Sequence, residues 1–281
     1  MIRRFQPAIQ PPSESGHGLW FAFRRGDLLV IGDSEATSLP GGADITHPAP
    51  PVRSQFLGEL DGVPCWSAEL PDDAPDPETG SFEGLRALWG RLDEVTWALA
   101  GRAAQIVAWE RDHQFCGRCG APTSHVPGER ARRCAACNLL AYPRISPAVI
   151  TLIERGDTIL LARGVSFPPG RYGIIAGFLE PGETFEEAVQ REVHEEVGIE
   201  LDNITYFASQ PWPFPHGVMI GFTARWASGE LAPDPTEIAD AGWFTLDTMP
   251  NIPPRLSIAR RLIDDWALRR YGVLLPETAS W

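Results

Sequence analysis

The stretch GFLEPGETFEEAVQREVHEEVGI, Gly177 to Ile199, gathers acidic side chains at helical spacing. Thr184 followed three residues later by Glu187 is a capping box and predicts a helix starting near Thr184. Phe185, Ala188, Val189, Val193 and Val197 recur so as to form one buried stripe. Glu192, Glu195 and Glu196 then share an edge of that helix. Like charges at such spacing repel by about 0.2–0.5 kcal/mol per pair. The nearest cation, Arg191, is placed to reach back to Glu183 and brace the preceding loop. Three carboxylates held together suit hard divalent cations bound through oxygen. Such cations neutralise a diphosphate, polarise its phosphorus and activate water. The plain alternative is a solvated acidic face.

A second constellation is C-x2-C-x14-C-x2-C, formed by Cys116, Cys119, Cys134 and Cys137. Two such knuckles bring four thiolates to one tetrahedral Zn2+ and leave no ligand position open, so the site is read as structural. A redox C-x-x-C explains two spaced pairs less well. Cys65 stands apart and is assigned to the core. Arg130, Arg132 and Arg133 make the segment locally basic and raise nucleic-acid binding as a rival role, although it has few aromatics for stacking. A third constellation is SQPWPFP, Ser209 to Pro215, where three prolines stiffen a loop and Trp212 and Phe214 offer flat faces.

The elements that must position these groups are partly legible. Val149–Ile153 and Thr158–Leu161 read as strands around the turn Arg155-Gly156-Asp157, and Val218–Trp226 as a long strand. Residues 257–270 read as a helix with Ile258, Leu262, Ile263 and Trp266 on one face. Upstream, Leu19–Phe23 and Leu28–Ile31 read as strands joined by the turn Arg24-Arg25-Gly26-Asp27, and Pro71 to Pro77 as a loop. Leu85–Trp109 reads as a helix interrupted at Gly90 and Gly101. No chemistry emerges from the first hundred residues, and no internal repeat is visible. The expected division is an N-terminal α+β domain at 1–112, a zinc ribbon at 113–142 and a catalytic domain at 143–281.

The acidic segment resembles the Nudix box, with Gly177, Glu183, Arg191, Glu192, Val193, Glu195, Glu196, Gly198 and Ile199 at its fixed positions. The ribbon before the box and the SQPWPFP array after it resemble the NADH pyrophosphatase family of Nudix hydrolases. The resemblance implies an α/β fold, an α/β/α sandwich around a mixed sheet. It implies catalytic glutamates Glu192, Glu195 and Glu196 and two or three Mg2+ or Mn2+ ions, with Ala176 (through its backbone) and Glu237 as further metal ligands. For substrate binding it implies Tyr142, Phe178, Gln210, Pro211, Trp212, Pro213, Phe214, Pro215, His216, Gly217 and Ala259. The implied reaction is attack of a metal-activated water on the AMP-side phosphorus of NAD(H), giving AMP and NMN(H). Removal of an NAD cap from RNA 5′ ends and a homodimer are also implied. Where the family array ends in serine after one variable residue, this chain has His216-Gly217, which puts one hydrogen bond in doubt.

Composition narrows the remaining classes. With 281 residues and 43% hydrophobic content the chain can bury two cores. A formal net charge of -13 disfavours polyanions unless metals or clustered arginines reverse the field. All 24 basic residues are arginine, which excludes a P-loop or Schiff-base lysine. No apolar run is long enough to span a bilayer. Met1–Pro7 lacks a signal-peptide core and Ala279-Ser280-Trp281 is no peroxisomal address, so the cytoplasm is expected. Two alternatives stay open: a Nudix hydrolase of ADP-ribose or dinucleoside polyphosphates, and a zinc-ribbon nucleic-acid-binding module with an inactive Nudix domain.

Overall fold

The computed structural model describes residues 4–11, 18–32, 36–42 and 48–277. The terminal residues read above, Met1–Arg3 and Ala279–Trp281, lie outside them. The chain divides into two compact units, Met1–Arg144 and Ile145–Trp281.

In the second unit, β11 (Ser146–Arg155), β12 (Thr158–Gly164), β13 (Ile175–Phe178), β14 (Glu200–Trp212), β15 (Gly217–Ser228) and β16 (Ile238–Phe244) form one sheet. Its order is β14-β15-β11-β12-β16, with β13 also paired to β11. Only β11 and β15 run parallel, so the sheet is mixed. Helix α2 (Phe185–Val197) covers one face, where Ala188, Val189, Val193 and Val197 pack against Val149, Ile153, Ile220 and Phe222. Helix α3 (Ile258–Tyr271) covers the other with Leu262, Ile263 and Trp266. This is the expected α/β/α sandwich. Burying a valine-sized side chain is worth about 1.5–3 kcal/mol, so these stripes, rather than propensity, hold the helices in place.

The start signal of α2 acts as read, and its expected buried stripe needs one correction. Thr184 accepts from Glu187 N while the Glu187 carboxylate accepts from Thr184 N, and Gly198 closes α2 in the left-handed conformation at φ 73°. Phe185, expected in the stripe, is 40% exposed, because as the first helical residue it projects back past the helix end rather than onto the sheet. Glu196 takes a buried place instead, at 8% exposure.

The first unit contains β1 (Phe5–Pro7), β2 (Gly18–Arg24), β3 (Asp27–Val30), β4 (Gly41–Gly42), β5 (Arg53–Leu60), β6 (Val63–Glu69), β7 (Ser81–Glu83), α1 (Glu94–Asp112) and the ribbon strands β8 (Thr123–His125), β9 (Arg132–Cys134) and β10 (Leu140–Ala141). Helix α1 begins at its Asp93 cap, not at Leu85: Gly90 at φ 79° keeps the preceding residues in turns, whereas Gly101 is accommodated inside the helix. Cys65 is fully buried, as expected.

The large sheet of this unit runs β1-β5-β6-β2-β3-β7, and β2 and β6 are parallel while their neighbours are antiparallel. The succession β5-β6-β2-β3-β7 therefore repeats β14-β15-β11-β12-β16 in order and sense. The absence of an internal repeat is thus corrected: the repeat lies in backbone pairing, which does not require the same side chains. Among the described residues no helix stands between β3 and β5, whereas α2 stands before β14 in the second unit.

Candidate active site and zinc ribbon

The acidic edge of α2 is organised by Arg191. Its guanidinium donates to both oxygens of Glu183, to Glu192 Oε1 at 2.9 Å, to Glu195 Oε2 at 3.0 Å and to the Phe178 carbonyl at 3.0 Å. The brace to Glu183 read from spacing is present. These bonds hold the Glu183 carboxyl down at about 2, first through Arg191 and then through the Glu180 N–H. The loop before α2 is thereby fixed to the helix it precedes.

Gly177 has a role that spacing did not reveal. A Cβ there would lie 1.8 Å from Glu192 Cδ, so the absent side chain is what lets the Glu192 carboxylate rest against β13. Burial raises the proton affinity of Glu192. Glu196 lies deeper. Burial, followed by the charges of Glu192, Glu237 and Glu195, pushes it up to about 8, and no donor among the described residues offsets them. Glu237 is brought near from a distant loop, which is tied to the end of α2 by Asp234 N to Glu196 O at 2.9 Å and Ala232 N to Val197 O at 2.9 Å. The Asp234 carboxylate in turn accepts from Thr236 N and Oγ1, each at 2.8 Å.

A buried carboxylate that resists ionisation among three others suits a divalent cation, which would supply the missing positive charge. Among the described residues, however, only the four cysteines converge with all ligand atoms within 4.8 Å. The carboxylates are gathered but splayed, because Arg191 draws Glu192 and Glu195 toward itself.

Of the other expected residues, Phe178, Gln210, Trp212, Gly217 and Ala259 fall on the α3 side of the sheet. Register aligns Phe178, Ala148, Met219 and Gln210 in one row across β13, β11, β15 and β14, and Ser146, Gly217 and Trp212 in the next. Laterally paired residues share a face, so Phe178, Gln210, Trp212 and Gly217 project to one side. Phe178 is 64% exposed. Ala176 shares its side of β13, exposed and paired with Ile150.

SQPWPFP is not a free loop. Pro211 and Trp212 close β14, Pro213 to His216 make the turn, and Gly217 opens β15. Trp212 and Phe214 meet edge-on at 5.0 Å between ring centres, and Phe214–Pro215 is cis. The Gln210 carboxamide is engaged within the protein: it donates to Leu256 O at 2.8 Å and accepts from Ile258 N at 2.7 Å. Ala259 is 6% exposed, so its backbone is what it offers. Tyr142 lies in the first unit, 55% exposed, with its hydroxyl 3.3 Å from Glu129.

In the ribbon the Sγ atoms of Cys116 and Cys137 are 3.5 Å apart, as are those of Cys119 and Cys134. A tetrahedral zinc with bonds of 2.3 Å asks for about 3.8 Å, so the four thiols fit the ion. Gly120 and Asn138, at φ 74° and 59°, turn the chain after each pair and donate to Cys116 O and Cys134 O, both at 2.9 Å. Backbone N–H groups of Arg118 and Cys119 lower Cys116 to about 6, favouring the thiolate.

The basic character of the ribbon changes on folding. Arg130 donates to Gln55, Ala8 O and Phe56 O, and Arg132 is 5% exposed, paired with buried Glu110 and bonded to Thr123. These two arginines seat the ribbon within the first unit. Arg133 alone of the three is exposed.

A mixed sheet between two helices, with a braced acidic helix on one face, defines a Nudix hydrolase. The profile of the NUDIX domain matches residues 143–266, that of the NADH pyrophosphatase zinc ribbon domain 111–142, and that of the NADH pyrophosphatase-like rudimentary NUDIX domain 17–109. The last agrees with the repeated strand order. The chain is 49% identical over 276 residues to the NAD-capped RNA hydrolase NudC of Pseudomonas fluorescens, covering 98% of this chain and 99% of that one. It is 44% identical to the protein of that name in Stutzerimonas stutzeri, covering 97% of each, and 44% identical to that of Deinococcus radiodurans, covering 88% and 86%. The chain belongs to the NudC family of Nudix hydrolases.

Proposed function

We propose that this protein hydrolyses the diphosphate of NAD(H), giving AMP and NMN(H), and the same linkage in an NAD cap at an RNA 5′ end. The observation that carries the reading is Glu196, buried beside Glu192, Glu195 and Glu237 and pushed up to about 8 by them and by burial. A structural core has no use for such a group, whereas a diphosphate site does. The names of relatives up to 49% identical point to the same substrate class.

In this reading Glu192, Glu195, Glu196 and Glu237, with the Ala176 backbone, hold two or three Mg2+ or Mn2+ ions. Those ions supply charge neutralisation and an activated water when bound. Gly177 keeps Glu192 seated, and Arg191 keeps the helix edge and the Glu183 loop in register. Phe178 and Trp212, on a rigid sheet face, receive a ring of the dinucleotide at little cost in ordering. Gln210 acts by tying that face to the start of α3, and Phe214 and the Ala259 backbone complete the substrate contacts within the second unit. Of the ribbon arginines, Arg133 is exposed and available to a nucleic-acid chain, whereas Arg130 and Arg132 are engaged within the first unit. One structural zinc per chain, a homodimer and a cytoplasmic location belong to the same reading. Among the described residues no helix is long and apolar enough to cross a membrane.

The test is incubation with Mg2+ or Mn2+ and NADH, ADP-ribose, a dinucleoside polyphosphate and NAD-capped RNA, with products identified by mass. NADH and the capped RNA should yield NMN(H) and AMP-ended products ahead of the others. Preferential cleavage of ADP-ribose or the dinucleoside polyphosphate would overturn the reading. Phe178→Ala should erode the NADH to ADP-ribose ratio of kcat/KM, since the diphosphate contacts are common to both; an unchanged ratio would remove Phe178 from the ring site.

A further inference from the structure

The ring-binding face contains a hydroxyl that no motif announces. Ser146 opens β11 and pairs in parallel register with Gly217, so both point to the side that carries Phe178, Gln210 and Trp212. Its backbone N–H donates to His216 O at 2.9 Å and its Oγ lies 3.1 Å from His216 Nδ1. The side chain is thus fixed at both ends of the residue. At Gly217 no side chain covers it, and a Cβ there would press on Trp212, at 3.2 Å from its carbonyl oxygen and 3.5 Å from its Cβ, while only touching Ser146 O at 3.8 Å. Two residues along β11, about 7 Å away, Ala148 pairs with Phe178.

We propose that Ser146, held by His216, is a specificity-determining residue that reads the carboxamide-bearing ring of a dinucleotide. A serine hydroxyl has one O–H and two lone pairs, so while it shares a hydrogen bond with His216 Nδ1 it keeps a lone pair free to accept from a carboxamide NH2. ADP-ribose has no such group, so the contact separates two substrates that share the same diphosphate. The hydroxyl that is missing at Gly217 is in this way delivered from the neighbouring strand, onto the same face and in the same row. The loss expected at position 217 is therefore made good at 146.

This inference rests on the NAD(H) reading, and the experiment keeps the two apart. The NADH to ADP-ribose ratio of kcat/KM is measured for the wild type, Ser146→Ala, Ser146→Thr and Ser146→Ala with Gly217→Ser. Ser146→Ala keeps the backbone pairs and should lower the ratio about three- to tenfold, the range of one neutral hydrogen bond. Ser146→Thr keeps the hydroxyl and should hold the ratio near wild type. The double variant returns a hydroxyl from β15 and should restore most of it. A ratio that moves less than twofold in Ser146→Ala, or a fall shared equally by both substrates, overturns the assignment. A wild type that cleaves ADP-ribose but not NADH overturns the functional reading itself.

Discussion

Glu196 is where burial and charge conflict most sharply. A glutamate sequestered among three carboxylates costs stability when ionised, and only an added cation relieves it. Glu196→Gln should lower kcat by orders of magnitude while leaving the thermal midpoint of the metal-free protein at or above wild type, because an uncompensated charge is removed. Glu186, exposed in the first turn of the same helix, should tolerate the same change with little effect. Turnover near wild type in Glu196→Gln, followed with NADH under saturating metal, would dismiss the metal assignment.

At the scale of elements, the site depends on one strand lying against one helix edge. Gly177→Ala places a methyl within 1.8 Å of Glu192 Cδ, so the carboxylate must leave its seat or β13 must shift. Metal affinity and rate should fall at least tenfold with the circular dichroism spectrum preserved; unchanged metal titration would show that Glu192 has no fixed position to lose. The ribbon is a second such element. Its three short strands carry little apolar area, so the thiolate–zinc bonds hold it. Cys119→Ser should release zinc and lower the thermal midpoint before it alters chemistry in any surviving folded protein. Freshly purified, reduced wild type without about one zinc per chain would count against the assignment.

For the whole molecule, charge linkage makes stability depend on pH and metal together. Glu196 has a folded value of about 8 against an ordinary 4.5. The native state therefore holds a proton that the unfolded chain gives up, and the stability so gained is complete below 4.5 and lost as pH rises through about 8. In metal-free protein this group should lower stability across that window. Because a cation competes with the same proton, the rise in thermal midpoint on adding Mg2+ should grow between pH 6 and pH 8.5. A metal-induced shift that is flat across that range in thermal melts, or shrinks, would contradict the linkage.

The sequence by itself determined whatever is encoded in local spacing. A capping box and carboxylates three and four apart are set by helix geometry, so the start of α2 and its acidic edge were legible residue by residue, and so were the paired cysteine knuckles. The Arg191 brace was legible for the same reason. Tertiary structure decided what depends on residues distant in the chain. Phe185 and Glu196 exchanged the burial that periodicity suggested, because the first turn of α2 overhangs the sheet while its later turns, through Val197, lie on it. Arg130 and Arg132 became internal partners of Gln55, Phe56 and Glu110, and their basicity left the surface. The seat that Gly177 leaves for Glu192, the hydroxyl of Ser146 and the duplicated strand order are announced by no local pattern. Each is a matter of which strand lies beside which, and register fixes that through long-range hydrogen bonds that local spacing does not encode.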